Sequence, residues 1–189
     1  PVDERHLLHP TDVNGINKMA GEWYHILYNN VYQVRACSLR LTNTYGPRLL
    51  VKHSRQGFIG WFIRQVLDGE EIQIFGDGQQ KRDMVYVEDV VEAFLLAGMD
   101  DRANGQVFNV GGAERVSLLE FVRLLTEVAQ TGSYKVAPFP PNRKSIDIGD
   151  YYADCTKIRE TLGWEPKVML REGLEETVRF YKEHRARYW

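Results

Sequence analysis

Short β-rich segments alternate with helical patterns along most of the chain, and this alternation constrains the fold more than any other feature. The segments "EIQIF" at 71–75 and "QVFNV" at 106–110 are rich in β-branched or aromatic residues and end in glycine turns. The segments between the strands place apolar residues at helical spacing. Parallel strands require such crossover connections. The order therefore predicts an α/β fold with at least some parallel strand pairs.

The first helical pattern follows a polar opening segment. Thr11 and Asp12 suit its N-cap, and apolar residues recur at helical spacing up to about Asn30. Farther along, Ser117 and Glu120 have the spacing of a capping box in front of an apolar helix. These positions predict where two of the helices begin.

The segment after the first helix is the best candidate for a buried strand. Residues 34–41 are β-rich, and Asn43 and Gly46 follow them, as is typical of a loop that leaves a strand end. Near the carboxyl end, Asp154 and Gly163 are placed to begin and end another helix.

Composition excludes several classes of protein. The 189 residues carry a formal net charge of −2, so they provide no broad basic field for nucleic acid or an anionic membrane. No apolar run approaches the roughly 18 residues that a spanning helix needs. Cys37 and Cys155 are far apart and lack metal-ligand spacing, which favours a reducing, cytoplasmic setting without disulfides or metal. The loop-like opening "PVDERHLLHP" suggests a cut into a longer chain.

Five motifs occur in a recognisable order. They are "NGINKMAGEWY", "SLRLTNTYGPR", "IQIFGDGQQKRDMVYVEDVVEAF", "FNVGG" and "YYADCTKIRETLGWEPKVMLREGLEETVRFY". Together they resemble the extended short-chain dehydrogenase/reductase family, in particular its NAD-dependent nucleotide-sugar epimerases and dehydratases. The resemblance covers nearly the whole chain. If the chain were instead an unrelated α/β domain, all five motif matches would have to be coincidental.

The resemblance implies a carboxy-terminal part of a two-part molecule. Residues 1–55 and 82–112 are expected to be the remainder of a Rossmann-like dinucleotide-binding domain with a parallel sheet. Residues 56–81 and 113–189 are expected to form a small mixed α/β lobe that binds the nucleotide sugar. The family's GxxGxxG loop for the NAD pyrophosphate is absent from the sequence, so we expect these residues alone to be inactive.

Asn14 and Lys18 stand four residues apart and therefore share a helix face. A solvated polar stripe is the simplest interpretation of such a pair. The resemblance implies more, because the family has Tyr-x-x-x-Lys here, with a lysine that bonds the cofactor ribose and lowers the tyrosine pKa. Lys18 matches that lysine, whereas Asn14 replaces the catalytic tyrosine, and an amide has no useful titration.

Three explanations for Asn14 remain open. Another residue supplies the base, the protein binds a nucleotide sugar without redox chemistry, or a neighbouring element hides a substitute. Because Lys18 and its helix are retained, we favour an active site with altered chemistry over an active site that has simply lost its function.

The resemblance also assigns residues to the nucleotide sugar. Asn43 and Arg82 match residues that hold the diphosphate, and Arg143 matches a second phosphate-binding arginine, with Lys144 as the alternative because the spacing departs by one residue. The competing interpretations are a turn asparagine for Asn43 and a surface ion pair with Asp83 for Arg82.

The segment "IQIFGDG" matches the part that lies against the nucleotide base. Ile74 and Phe75 are therefore expected contacts of that base. Phe75 can equally belong to the core, and its apolar ring slightly favours the core.

Two functions from different classes follow. The first is the substrate-binding part of an NAD-dependent epimerase or dehydratase, and the second is a non-catalytic nucleotide-sugar binder or subunit. The resemblance further implies a homodimer through the helix that carries Lys18. Met19, Trp23, Ile26 and Leu27 offer an apolar face for that contact or for packing on a sheet.

Overall fold

The computed structural model describes residues 1–54, 57–140 and 149–189. Its helices are α1 (Val13–Tyr32), α2 (Phe58–Leu67), α3 (Val87–Met99), α4 (Leu118–Ala129), α5 (Thr156–Leu162), α6 (Leu170–Glu183) and α7 (Arg185–Tyr188). Its strands are β1 (Ser38–Leu41), β2 (Asn43–Tyr45), β3 (Glu71–Phe75), β4 (Lys81–Tyr86), β5 (Val107–Val110), β6 (Arg115–Ser117) and β7 (Ser133–Ala137). Within these ranges no helix is long and apolar enough to cross a membrane.

The strands form short, mostly parallel pairings. β1 pairs with β5, β2 pairs with β4, and β3 pairs with β7, all in parallel. β6 adds an antiparallel pairing to the start of β4. The predicted α/β fold with parallel strands is therefore confirmed.

Two apolar cores lie against these strands. The larger core joins α2, α4 and α6 to β3, and its fully buried members include Ile63, Ile72, Phe121, Leu125 and Leu174. The smaller core joins α3 and α5 to β5 through Val85, Phe108, Val110, Ile158 and Trp164. The indole Nε1 of Trp164 donates to the carbonyl of Asp89 at 2.9 Å, so this large ring is buried with its polar group paired.

The predicted two-lobe division of the chain stays a prediction. α5 belongs to the range 113–189, yet its Ile158 packs in the smaller core with β5 from the range 82–112. The packing thus joins residues from both predicted ranges.

Local sequence signals place several helix ends correctly. The carboxylate of Asp12 accepts a hydrogen bond from Gly15 N at 2.7 Å and caps α1. Ser117 and Glu120 form the predicted capping box at the start of α4. These two predictions are confirmed, and so is the end of α5 at Gly163, which adopts the left-handed conformation. The N-cap of α5 is Cys155 and not the predicted Asp154, which lies one residue earlier and accepts from Thr156 N at 2.9 Å.

Two strand predictions need correction. The strand expected at 34–41 begins only at Ser38, and Asn43 lies in β2 instead of a loop. The backbone of Asn43 is aligned with Met84 of β4, so pairing between distant segments overrides the local turn preference. β6 and β7 had no clear signal, because both are short and pair only with strands distant in sequence.

Helix α1 has no buried residue. Trp23 and Leu27 are exposed, whereas Met19 and Ile26 are half-buried. A residue advances about 100° around a helix, so exposed apolar side chains at 13, 16, 23, 27 and 31 form one stripe. We call Val13, Ile16, Trp23, Leu27 and Val31 the apolar stripe of α1. It lies on the side opposite to Lys18.

Gly173 of α6 permits close packing of two tyrosines. A Cβ at this position would overlap the Tyr45 hydroxyl and the Tyr86 ring. We expect Gly173→Ala to lower the free energy of unfolding by about 1–3 kcal/mol, measured by urea denaturation.

The matched control is Gly98→Ala in α3, where a Cβ meets no atom within 4 Å. This variant should be neutral or more stable by up to about 1 kcal/mol. Equal losses of stability in the two variants would contradict the packing role of Gly173.

Candidate functional site

A cleft of about 370 Å³ lies beside the start of α2, β3 and β4. Small-molecule sites typically span about 300–1,000 Å³ and combine apolar walls with a few polar groups. The aromatic part of the lining is Phe58, Trp61, Phe62, Phe75 and Phe139. The larger polar side chains are Gln73, Gln80 and Arg82. The cleft therefore has the size and the mixed character of a ligand site.

The aromatic wall is held in place by backbone geometry. The ring centroids of Phe75 and Phe139 are 6.3 Å apart with planes tilted by 37°. Gly76 has a φ of +80°, and a Cβ there would meet the Phe139 ring. Glycine at this turn thus lets Phe139 lie over the end of β3. The two rings offer an aromatic, apolar surface beside the polar groups.

Arg82 brings positive charge to the cleft. Its Nη1 donates to the Lys81 carbonyl at 2.8 Å and also to the Gly149 carbonyl. Successive side chains of a strand point to opposite faces, so Asp83 lies on the other side of β4. The alternative interpretation of Arg82, an ion pair with Asp83, is therefore disfavoured.

Asp83 is buried on that other side, with 2% of its surface exposed. Its Oδ2 accepts from Ala153 N at 3.1 Å and thereby fixes the segment that follows Gly149. Burial raises the pKa of Asp83, and the hydrogen bond from Ala153 N partly opposes this change.

The raised pKa makes stability depend on pH. The folded state holds the Asp83 proton more tightly than the unfolded state, so this contribution is complete below the unfolded pKa of 3.8 and is lost as pH rises through the folded value. Asp83→Asn should therefore lose less stability than the wild type as pH rises from 3.8 towards neutrality. Urea unfolding across that range measures the difference, and parallel pH curves would contradict it.

Asn43 and Phe75 are half-buried, whereas Ile74 is fully buried. The Asn43 amide donates to the Asp83 carbonyl at 3.4 Å from within β2, so the turn interpretation of Asn43 is wrong. Phe75 lines the cleft, as expected of a base contact. The side chain of Ile74 lies in the larger core with 0% exposure, which corrects the prediction that this side chain meets a base. Arg143 and Lys144 lie outside the described residues.

Asn14 and Lys18 lie on α1 and do not line the cleft. Both are exposed, and neither forms a hydrogen bond or ion pair with the part of the chain that the structure describes. The structure therefore brings Phe75 and Arg82 together and keeps the α1 residues apart from them. The ammonium group of Lys18 is free to meet a ligand hydroxyl.

Sequence motifs did not identify Trp61, Gln73 or Phe139 as lining residues. Phe139 stands between prolines in "APFPP", and an aromatic residue in such a loop is the one available signal. Among the described residues, no group of His, Cys, Asp and Glu could hold a metal ion.

Comparison with known proteins places the chain in one group. Residues 1–111 match the NAD dependent epimerase/dehydratase family. A UDP-glucose 4-epimerase of Mycolicibacterium smegmatis is 37% identical over 96% of this chain and 56% of its own length. A dTDP-glucose 4,6-dehydratase of Streptomyces niveus is 29% identical over 99% of this chain and 53% of its own length.

Solved structures agree with the sequence match. UDP-glucose 4-epimerase of Thermotoga maritima with UDP-glucose has a TM-score of 0.85 and 36% identity, over 97% of this chain and 58% of its own. UDP-glucuronic acid 4-epimerase of Bacillus cereus in complex with NAD has a TM-score of 0.79 and 28% identity, over 96% of this chain and 55% of its own. The chain thus spans a little over half the length of each of these four relatives.

The parallel strand pairs and their covering helices define a Rossmann-like α/β protein. The chain belongs to the NAD-dependent epimerase/dehydratase family, within the extended short-chain dehydrogenases/reductases that its motifs resemble.

Proposed function

We propose that this chain is the substrate-binding part of an NAD-dependent nucleotide-sugar epimerase or dehydratase. The observation that carries the proposal is the cleft that Arg82 lines together with the rings of Phe75 and Phe139. A guanidinium suits the oxygens of a diphosphate, and an aromatic wall suits a nucleotide base. The relatives are enzymes of UDP- and dTDP-sugars, which supports the same ligand class here.

In this proposal, Arg82 and Asn43 hold the diphosphate, with Arg143 as a further phosphate contact. Phe75 packs on the base. The lobe formed by 56–81 and 113–189 grips the nucleotide, while 1–55 and 82–112 complete a dinucleotide-binding domain. Each of these residues acts by binding and orienting the nucleotide sugar. Binding and orientation are the main contributions of the protein when a cofactor supplies the chemistry.

NAD is the proposed cofactor of the intact protein, and when bound it would supply reversible hydride transfer. Lys18 suits a bond to the cofactor ribose, because it is exposed on α1 without a described partner. Asn14 can donate and accept hydrogen bonds to the sugar but cannot take its proton. The proton must therefore pass to another group.

The alternative is a nucleotide-sugar binder without redox chemistry. The specific observation behind it is Asn14, which has no useful pKa where the family has tyrosine. The retained Lys18 favours the altered enzyme.

A homodimer is proposed through the apolar stripe of α1. All five of its residues are about half exposed or more, from 47% at Leu27 to 71% at Val13. Water-exposed apolar surface of this extent favours association.

Arg82→Gln tests the binding role. In the full-length protein, this variant should weaken UDP-glucose or dTDP-glucose binding about tenfold or more, because a charge-assisted hydrogen bond is lost. Calorimetric titration measures the Kd. Arg115→Gln is the control, since Arg115 packs over Tyr152 at 4.5 Å and does not line the cleft. Undiminished affinity in Arg82→Gln, or no affinity of the wild type for any nucleotide sugar, would contradict the proposal.

Asn14→Tyr distinguishes an active site that uses another base from one that has lost its catalytic base. If another residue supplies the base, a tyrosine at 14 should not raise the turnover of nucleotide sugar with NAD, because the site is arranged around an amide. Asn17→Tyr, three residues along the same helix, is the control for adding a phenol. A large gain of activity confined to Asn14→Tyr would refute the altered site.

A further inference from the structure

The β1–β5 pair has one apolar and one polar face. Phe108 and Val110 of β5 point into the smaller core. Arg40 of β1 is aligned with Asn109 of β5, and their side chains lie on the opposite face. A parallel pair is usually apolar on both faces, so this polar face calls for a specific function.

Arg40 connects this polar face to α1. Its Nε and Nη2 donate to the two carboxylate oxygens of Glu22 at 2.8 and 2.7 Å. The two side chains are only 20% and 10% exposed. The hydrogen bond to Glu22 raises the pKa of Arg40, so the guanidinium stays charged. This is a two-point, charge-assisted contact.

A third donor of Arg40 reaches the amino-terminal segment. Nη1 donates to the Glu4 carbonyl at 3.0 Å, and the Glu4 carboxylate accepts from Asn109 N at 2.8 Å. Arg40 of β1 thus contacts both Glu22 of α1 and Glu4 of the amino-terminal segment.

Glu22 lies one helical turn beyond Lys18, on the same face of α1. A second side-chain contact between α1 and β1 joins His25 Nδ1 to Ser38 Oγ at 3.2 Å. No residue of α1 is fully buried, and Met19 and Ile26 are only half-buried. The directed polar bonds of Glu22 and His25 therefore contribute to the rotation of α1 relative to the described strands. The direction of Lys18 therefore depends on Glu22.

We propose that Arg40 is a positioning residue for the dinucleotide: through Glu22, it fixes the rotation of α1 so that Lys18 faces the cofactor ribose. The inference rests on the proposed function, in which Lys18 binds NAD. A planar fork holds both carboxylate oxygens and so fixes the angle as well as the distance, which a lysine ammonium does not. Arg40 does not line the cleft that contains Arg82. A substitution at Arg40 is therefore expected to leave the affinity for the nucleotide sugar unchanged.

The test compares Arg40→Lys with Arg64→Lys in the full-length protein. Arg64 is a matched control, because it pairs with Asp68 at 2.6 Å with similar exposures of 22% and 18% but lies on α2. NAD and nucleotide-sugar affinities are measured by calorimetry and Tm by scanning. Arg40→Lys should weaken NAD binding about tenfold while leaving nucleotide-sugar affinity unchanged. Arg64→Lys should change Tm about as much as Arg40→Lys does but leave the affinity for NAD unchanged.

Glu22→Gln serves as a second variant if Arg40→Lys does not fold. It keeps one oxygen acceptor but loses the charge, and it should weaken NAD binding in the same direction. Unchanged NAD affinity in a folded variant, or equal losses for NAD and nucleotide sugar, would overturn the positioning role.

Lys18→Met separates this inference from the proposed function. If Lys18→Met weakens NAD binding and Arg40→Lys does not, Arg40 has no positioning role and the proposed function stands. If Lys18→Met leaves NAD affinity unchanged, the assignment of Lys18 fails, and the inference about Arg40 fails with it.

Discussion

Burial of β4 on both faces is the constraint on which the rest of the structure depends. Met84 and Tyr86 point into the larger core, while Val85 points into the smaller one. At the start of the strand, the same alternation directs Arg82 to the cleft and Asp83 to the buried contact with Ala153. Strand pairing therefore sets the direction of the cationic group, and a shift of one residue would exchange Arg82 with Asp83.

The cleft that Arg82 lines and the helix that carries Lys18 are held in place in different ways. The cleft rests on packed apolar side chains of α2, β3 and α4, which gives it firm walls. Helix α1 is instead held to the described strands by Glu22, His25 and their partners, with its apolar stripe exposed. A bidentate ion pair specifies geometry well but adds modest stability at partial exposure. Residues on α1 therefore depend on direction-specific bonds more than the cleft does.

Sequence patterns predicted the parts of this structure that local chemistry decides. The capping box of Ser117 and the N-cap of Asp12 act within one turn, so their motifs were sufficient. The strand at Asn43 and the burial of Ile74 depend on β4 and α4, which are far away in sequence. For the same reason, Arg82 could be named from its motif, whereas Phe139 joins the cleft only because Gly76 lets its ring approach β3.

A crystal structure of the full-length protein with NAD and UDP-glucose tests the central claim most directly. We predict the nucleoside diphosphate in the cleft, with phosphate oxygens on the Arg82 guanidinium, the base against Phe75, and the cofactor ribose at Lys18. A nucleotide sugar bound elsewhere, with no phosphate oxygen on the Arg82 guanidinium, would contradict it.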